Sequence, residues 1–188
     1  MPTASRKSST QTAARKAPAK SSRSTGGGTD AIALLRADHK RVSELYEQYE
    51  STRSTAKKKA LVATICQELS VHAQVEEEIF YPAVKAALKD KELVPEAQVE
   101  HATLKELIAQ VKDKEPDGEM FDAKIKVMSE YTRHHVKEEQ NEMFPKARAT
   151  RLDMKELGAR IAARKEELMA NPELMETPPA MAKSDAVA

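Results

Sequence analysis

Apolar residues recur along this chain at alternating spacings of three and four, the period of a helix with one buried face. From Asp30 the first stripe reads Ile32, Leu35, His39, Val42, Tyr46 and Tyr49, with Thr29 or Asp30 placed to cap it. A second stripe begins near Ser54 or Thr55 and carries Leu61, Ile65, Leu69, His72, Glu76, Ile79 and Ala83, with Pro82 expected to kink the helix or mark its last turns. Pro95 opens a third, with Val94, Ala97, His101, Leu104, Ile108 and Val111, which Pro116-Asp117-Gly118 breaks. The fourth holds Phe121, Ile125, Met128, His135, Glu139 and Met143. Four long helices on short connections predict an all-α, up-down-up-down four-helix bundle over residues 30–150. A further amphipathic helix is expected over residues 151–170, with Leu157, Ile161 and Leu168, and a disordered tail over 171–188 containing Pro172, Pro178 and Pro179.

The stripes contain an internal repeat. His72-Ala-Gln-Val-Glu76 runs on to Phe80-Tyr81-Pro82, and His135-Val-Lys-Glu-Glu139 runs on to Met143-Phe144-Pro145. Each places a histidine and a glutamate four apart, on one helical face. His39 precedes the first pair by 33 residues and His101 precedes the second by 34. Asp38-His39 with Val42, Glu44, Leu45 and Gln48 aligns with Glu100-His101, Leu104, Glu106, Leu107 and Gln110. A duplicated helix pair thus contributes His, His and Glu from each half. His134-Glu138 has the same spacing as His135-Glu139. Counting back from Pro145 by the ten residues that separate His72 from Pro82 selects His135.

Four of the chain's five histidines therefore replace hydrophobic residues on core stripes. Burying four imidazoles and two carboxylates without partners would cost several kcal/mol per ionised group, which a marginally stable bundle does not tolerate. A cation removes the objection. Imidazole and carboxylate without thiolate suit iron, with manganese or zinc as lesser fits, and six ligands exceed a single zinc site. If Glu76 and Glu139 each bridge, two octahedral ions keep vacant positions for an oxo or hydroxo bridge and an external ligand.

Here the chain resembles the hemerythrin family, specifically hemerythrin-like HHE cation-binding domains, over residues 30 to about 148. The resemblance rests on Asp-His, His-x3-Glu before aromatic-Pro, Glu-His, and His-His-x2-Glu-Glu with Met-Phe-Pro. It implies a four-helix bundle with a non-haem di-iron centre held by His39, His72, Glu76, His101, His135 and Glu139. Oxygen-carrying members have a second histidine where this chain has Lys105, and they end in His-x4-Asp where it has His135-x3-Glu139. Lys105 aligns with Ser43, also no ligand, so the site should be nearly symmetric. One histidine fewer weighs against reversible oxygen carriage and favours iron handling, or reaction with or sensing of oxygen, peroxide or NO. Tyr131 and Tyr46 lie within one or two turns of the stripe histidines, with packing as their expected role.

Composition and charge add limits. The chain has 188 residues, 40% hydrophobic and 32% charged, enough for one domain with a real core. Cys66 is the only cysteine, which rules out an internal disulfide and fits a reducing compartment, so the cytoplasm is the expected location. No apolar run approaches a membrane span. Residues 1–29 carry Arg6, Lys7, Arg15, Lys16, Lys20 and Arg23 without an acid and end in a glycine run, a disordered basic tail that also fits a transit peptide. Removing those six cations leaves 25 basic against 30 acidic residues, a net −5 for the body. Two other readings stand beside the iron pair. One is a mononuclear iron site of two histidines and a carboxylate. The other is an interaction bundle with a structural metal and a tail that contacts nucleic acid. No nucleophile–base pair, phosphate-binding loop or nucleotide fingerprint supports transferase or hydrolase chemistry.

Overall fold

A computed structural model describes residues 29–89 and 91–175. Of the expected tails, 1–29 and 171–188, residues 1–28 and 176–188 lie outside the described residues, while residues 172–174 form a 3-10 turn. Among the described residues the structure is all-helical: α1 (Ala31–Ser51), α2 (Thr55–Val75), α3 (Tyr81–Leu88), α4 (Leu93–Val111), α5 (Gly118–Glu138), α6 (Phe144–Arg148) and α7 (Met154–Ala170). One π-helical turn, Glu76–Phe80, joins α2 to α3, and another, Glu139–Met143, joins α5 to α6, so each pair forms one continuous rod. The four rods pack as a closed ring in chain order, the up-down-up-down bundle that the stripes predict.

Local chemistry sets the ends. Asp30 caps α1, its Oδ1 accepting from Ala33 N at 2.8 Å, and Arg148 at the end of α6 bonds the same carboxylate at 3.0 and 3.1 Å. Ser54 caps α2, and Asp153 caps α7 through two backbone N–H groups at 3.0 Å.

The π-turns answer the prolines. A proline ring clashes with the carbonyl four residues back and has no N–H to offer it. For Pro82 and Pro145 those carbonyls belong to Glu78 and Asn141, inside the widened turns. Tyr81 N–H instead reaches Glu76 O, and Phe144 N–H reaches Glu139 O. Pro82 therefore does not interrupt its rod but marks its last turns, which end at Leu88.

The core is split. One apolar cluster, around Leu45, Ile65, Leu69, Leu104, Ile108, Ile125 and Met128, fills one end of the bundle. A second, around Ile32, Leu35, Phe80, Val84, Phe144, Ile161 and Leu168, fills the other. His39, His72, His101 and His135 fall between the two clusters on their respective helices.

Helix α7 lies across α1, α2 and the first π-turn. It explains a departure from the predicted stripe: residues Val71–Glu76 are buried on every side, because the bundle covers one face and α7 the other. Gly158 permits the approach, since a Cβ there would fall 2.8 Å from Ala31 N and closer still to Thr29 O. Past α7 a single 3-10 turn, Pro172–Leu174, brings the Leu174 carbonyl within 3.2 Å of the Gln74 amide.

Candidate metal centre

All six predicted residues, His39, His72, Glu76, His101, His135 and Glu139, meet in the layer between the two apolar clusters, each at most 6% exposed. His39 and His72 bring their Nε2 atoms to 3.0 Å, and His101 and His135 to 3.1 Å. The glutamates lie between these pairs. Glu76 Oε2 is 3.2 Å from His72 Nε2 and 3.4 Å from His101 Nε2; Glu139 Oε2 is 3.2 Å from His39 Nε2 and 3.6 Å from His135 Nε2. Each carboxylate thus spans one histidine from each half of the repeat.

Glu76 Oε1 and Glu139 Oε2 are the buried side-chain oxygens that lack a hydrogen-bond partner among the described residues. Buried oxygens without a hydrogen-bond partner, on two carboxylates set among four imidazoles, fit a bound cation. Two groups bring their ligand atoms within 4.8 Å of one another: His39, His72, Glu76 and Glu139, and Glu76, His101 and His135. Glu76 belongs to both.

The outer ring nitrogens follow the repeat as well. Asp38, just before His39, accepts from His72 Nδ1 at 3.4 Å, and Glu100, just before His101, accepts from His135 Nδ1 at 2.7 Å. A carboxylate only accepts, so the proton sits on Nδ1 and the Nε2 lone pair faces the centre. Glu77, just after Glu76, holds His101 Nδ1 in the same way at 2.9 Å. In the equivalent position after Glu139 stands Gln140, whose amide nitrogen is 3.1 Å from His39 Nδ1. A cation at His39 Nε2 requires that amide turned over, so that its oxygen takes the Nδ1 proton.

The expected near-symmetry therefore fails at three aligned pairs: Glu77 against Gln140, Lys105 against Ser43, and Tyr81 against Phe144. Lys105 Nζ pairs with Glu77 Oε2 at 2.7 Å, while Arg36 donates to Gln140 at 3.2 Å. The Tyr81 hydroxyl donates to Glu139 Oε1 at 3.0 Å and approaches Glu76 Oε2 at 3.3 Å, His101 Nε2 at 3.2 Å and His135 Nε2 at 3.5 Å. Phe144 instead stacks on the His39 ring, centroids 5.8 Å apart. Sequence reasoning considered Tyr46 and Tyr131 and missed Tyr81. Tyr46 bonds Thr132 at 3.3 Å, and Tyr131 is partly exposed. Five residues beyond Glu76 is off the stripe in a regular helix, but the π-turn brings Tyr81 back over Glu76. The signal was the aromatic-Pro at a fixed distance from each His-x3-Glu.

Burial and neighbours set the protonation states. Burial, then the charge of Glu139, holds the Glu76 carboxyl well above the usual range. Burial also raises Glu139, but the closeness of His39 and the charges of His135, His39 and His72 outweigh it and bring it down to about 2. Burial pushes His72 down to about 4 against the pull of Asp38. For His135 burial acts downward too, yet the Glu100 hydrogen bond and the Glu139 charge raise it above its ordinary value. Tyr81, buried beside two carboxylates, is held far above 10 and keeps its proton.

Two open cavities lie along the α1–α5 side of the bundle, and only the first reaches the centre. One of about 270 Å³ ends at His39 and Thr132, with Ser43, Tyr46 and Arg133 on its walls; the other, of about 400 Å³, continues past Tyr49 and Asp122. Among the described residues no helix is long and apolar enough to cross a membrane.

A crystal structure of a hemerythrin HHE cation binding domain-containing protein from Mycobacterium kansasii superposes with a TM-score of 0.65 at 22% identity, over 76% of this chain and 88% of that one, a likeness of fold. A DNA nickase from Nostoc sp. is 25% identical over 111 residues, 59% of this chain but 31% of the nickase. Residues 30–147 match the Hemerythrin HHE cation binding domain, and the chain belongs to that family.

Proposed function

We propose that the chain is a non-haem di-iron protein: His39 and His72 would hold one ion, His101 and His135 the other, and Glu76 and Glu139 would serve both. The observation that carries this reading is the pair of carboxylates, each spanning a histidine of both halves and each with a buried oxygen lacking a hydrogen-bond partner. Two matched groups sharing Glu76 favour a pair of ions over a single one. Nitrogen and oxygen donors without sulfur suit iron, and manganese less well.

An iron pair would supply electrons and open positions to a small ligand such as oxygen, peroxide or NO. The chain's own groups supply the rest. Asp38, Glu77 and Glu100 fix three imidazoles in the tautomer that presents Nε2. Tyr81 covers the His101–His135 side and keeps a proton in donating reach of Glu139. The His39 side has Phe144 where the other half has Tyr81, and it adjoins the cavity of about 270 Å³. External ligands therefore arrive at the His39–His72 side. Exposed Ser43 and Arg133 at the cavity mouth and buried Thr132 at its inner end suit a small polar species such as peroxide.

Iron-loaded, reduced protein mixed separately with hydrogen peroxide, oxygen and NO tests the reading. A rapid change in the near-ultraviolet and visible absorption of the iron with at least one of the three is expected. Iron-loaded protein inert to all three overturns it.

A further inference from the structure

His134 and Glu138 repeat the His-x3-Glu spacing of the buried set, yet they face out of the bundle. His134 is 60% exposed, and its Nε2 lies 3.2 Å from Glu138 Oε1. A surface pair four residues apart is ordinary on a helix. A third group from another helix makes this one different. Glu100 on α4 brings Oε1 to 3.7 Å from the same nitrogen, and its side chain is only 10% exposed. The three ligand atoms lie within 4.8 Å of one another, one imidazole and two carboxylates with open space on the solvent side.

Glu100 also joins this cluster to the centre, because its other oxygen accepts from His135 Nδ1 at 2.7 Å. A small gap of about 10 Å³ between the two places is lined by Glu100, Glu138, Glu139 and His135, with Leu93 and Met143 beside them. Outside it, a cavity of about 210 Å³ is bordered by His134, Lys137, Glu138, Asn141 and Glu142. The repeat has no second copy of this arrangement. The positions equivalent to His134 and Glu138 are Val71 and Val75, both fully buried.

We propose that Glu100, His134 and Glu138 form an outer site for a divalent transition-metal ion, and that Glu100, which touches both places, hands the ion on from there to the buried residues. One nitrogen and two carboxylate oxygens suit Fe²⁺, Mn²⁺, Co²⁺ or Zn²⁺, and a half-exposed site with three protein ligands binds and releases readily. The destination rests on the proposed buried pair; the outer site itself does not.

Calorimetric titration of iron-loaded protein with cobalt(II) tests the site. Wild type takes up one equivalent more than His134→Ala, and Glu138→Gln weakens that equivalent tenfold or more, with buried iron unchanged in both. Because the result is a difference between wild type and variant, it stands whatever the buried residues hold. Equal cobalt uptake by wild type and His134→Ala overturns the site, and loss of buried iron from His134→Ala overturns its separateness. Stopped-flow loading of metal-free protein with Fe²⁺ tests the route. His134→Ala loads several-fold more slowly to the same end point, and an equal rate overturns it.

Discussion

Glu76 and Glu139 are chemically identical residues in aligned positions, yet their protons behave oppositely. Burial and the neighbouring charge keep Glu76 protonated above its ordinary range, while its histidine neighbours hold Glu139 ionised down to about 2. His72, lowered to about 4, is neutral near pH 6.5, whereas the Glu100 hydrogen bond and the Glu139 charge outweigh burial and favour the protonated form of His135. A cation needs Glu76 ionised and His135 neutral, while His72 and Glu139 already suit it. Metal binding near pH 6.5 therefore releases protons, and the release shrinks as the pH rises. Calorimetry in buffers of different ionisation enthalpy measures it, and net proton uptake would contradict these assignments. All six candidate ligands were legible at this scale, because histidines and glutamates on apolar stripes are conspicuous. Tyr81 was not, and neither was Gln140 as the odd member of the outer set. Their roles depend on a π-turn and on which neighbour each ring nitrogen meets, and the stripe encodes neither.

At the scale of elements, the duplicated rods owe their shape to Pro82 and Pro145, and α7 secures one of them. Arg164 bonds Glu78 at 2.7 and 2.9 Å, and Lys165 pairs with Asp38, the carboxylate that orients His72. The C-terminal helix thus reaches the centre through one intermediate residue. Its seat is Gly158, where an added methyl meets backbone that no rotamer change can move. Gly158→Ala should destabilise the fold by about 1–3 kcal/mol, measured by denaturant unfolding, with α7 displaced from α1. An unchanged midpoint would mean that the contact is looser than it is here. The sequence predicted α7 as an amphipathic helix but not its berth, since packing across residues Val71–Glu76 depends on partners far along the chain.

For the whole molecule, a polar layer divides what would otherwise be one continuous core. Four imidazoles and two carboxylates take the place of apolar side chains at the middle of every rod, and the fold is stable with them only when they have partners. The bundle itself was legible from the period of its stripes, because short connections between long amphipathic helices leave few alternatives. Its near-symmetry was legible too, but the three aligned exceptions give the two halves different chemistry, one side covered by a phenol and the other adjoining a cavity. The central claim is that this layer holds a pair of iron ions. Elemental analysis of protein stripped of metal, reloaded anaerobically with ferrous iron and desalted tests it most directly. About two irons per chain are predicted, falling to about one or fewer in His72→Ala and His135→Ala; one iron in the wild type, or none, would contradict it.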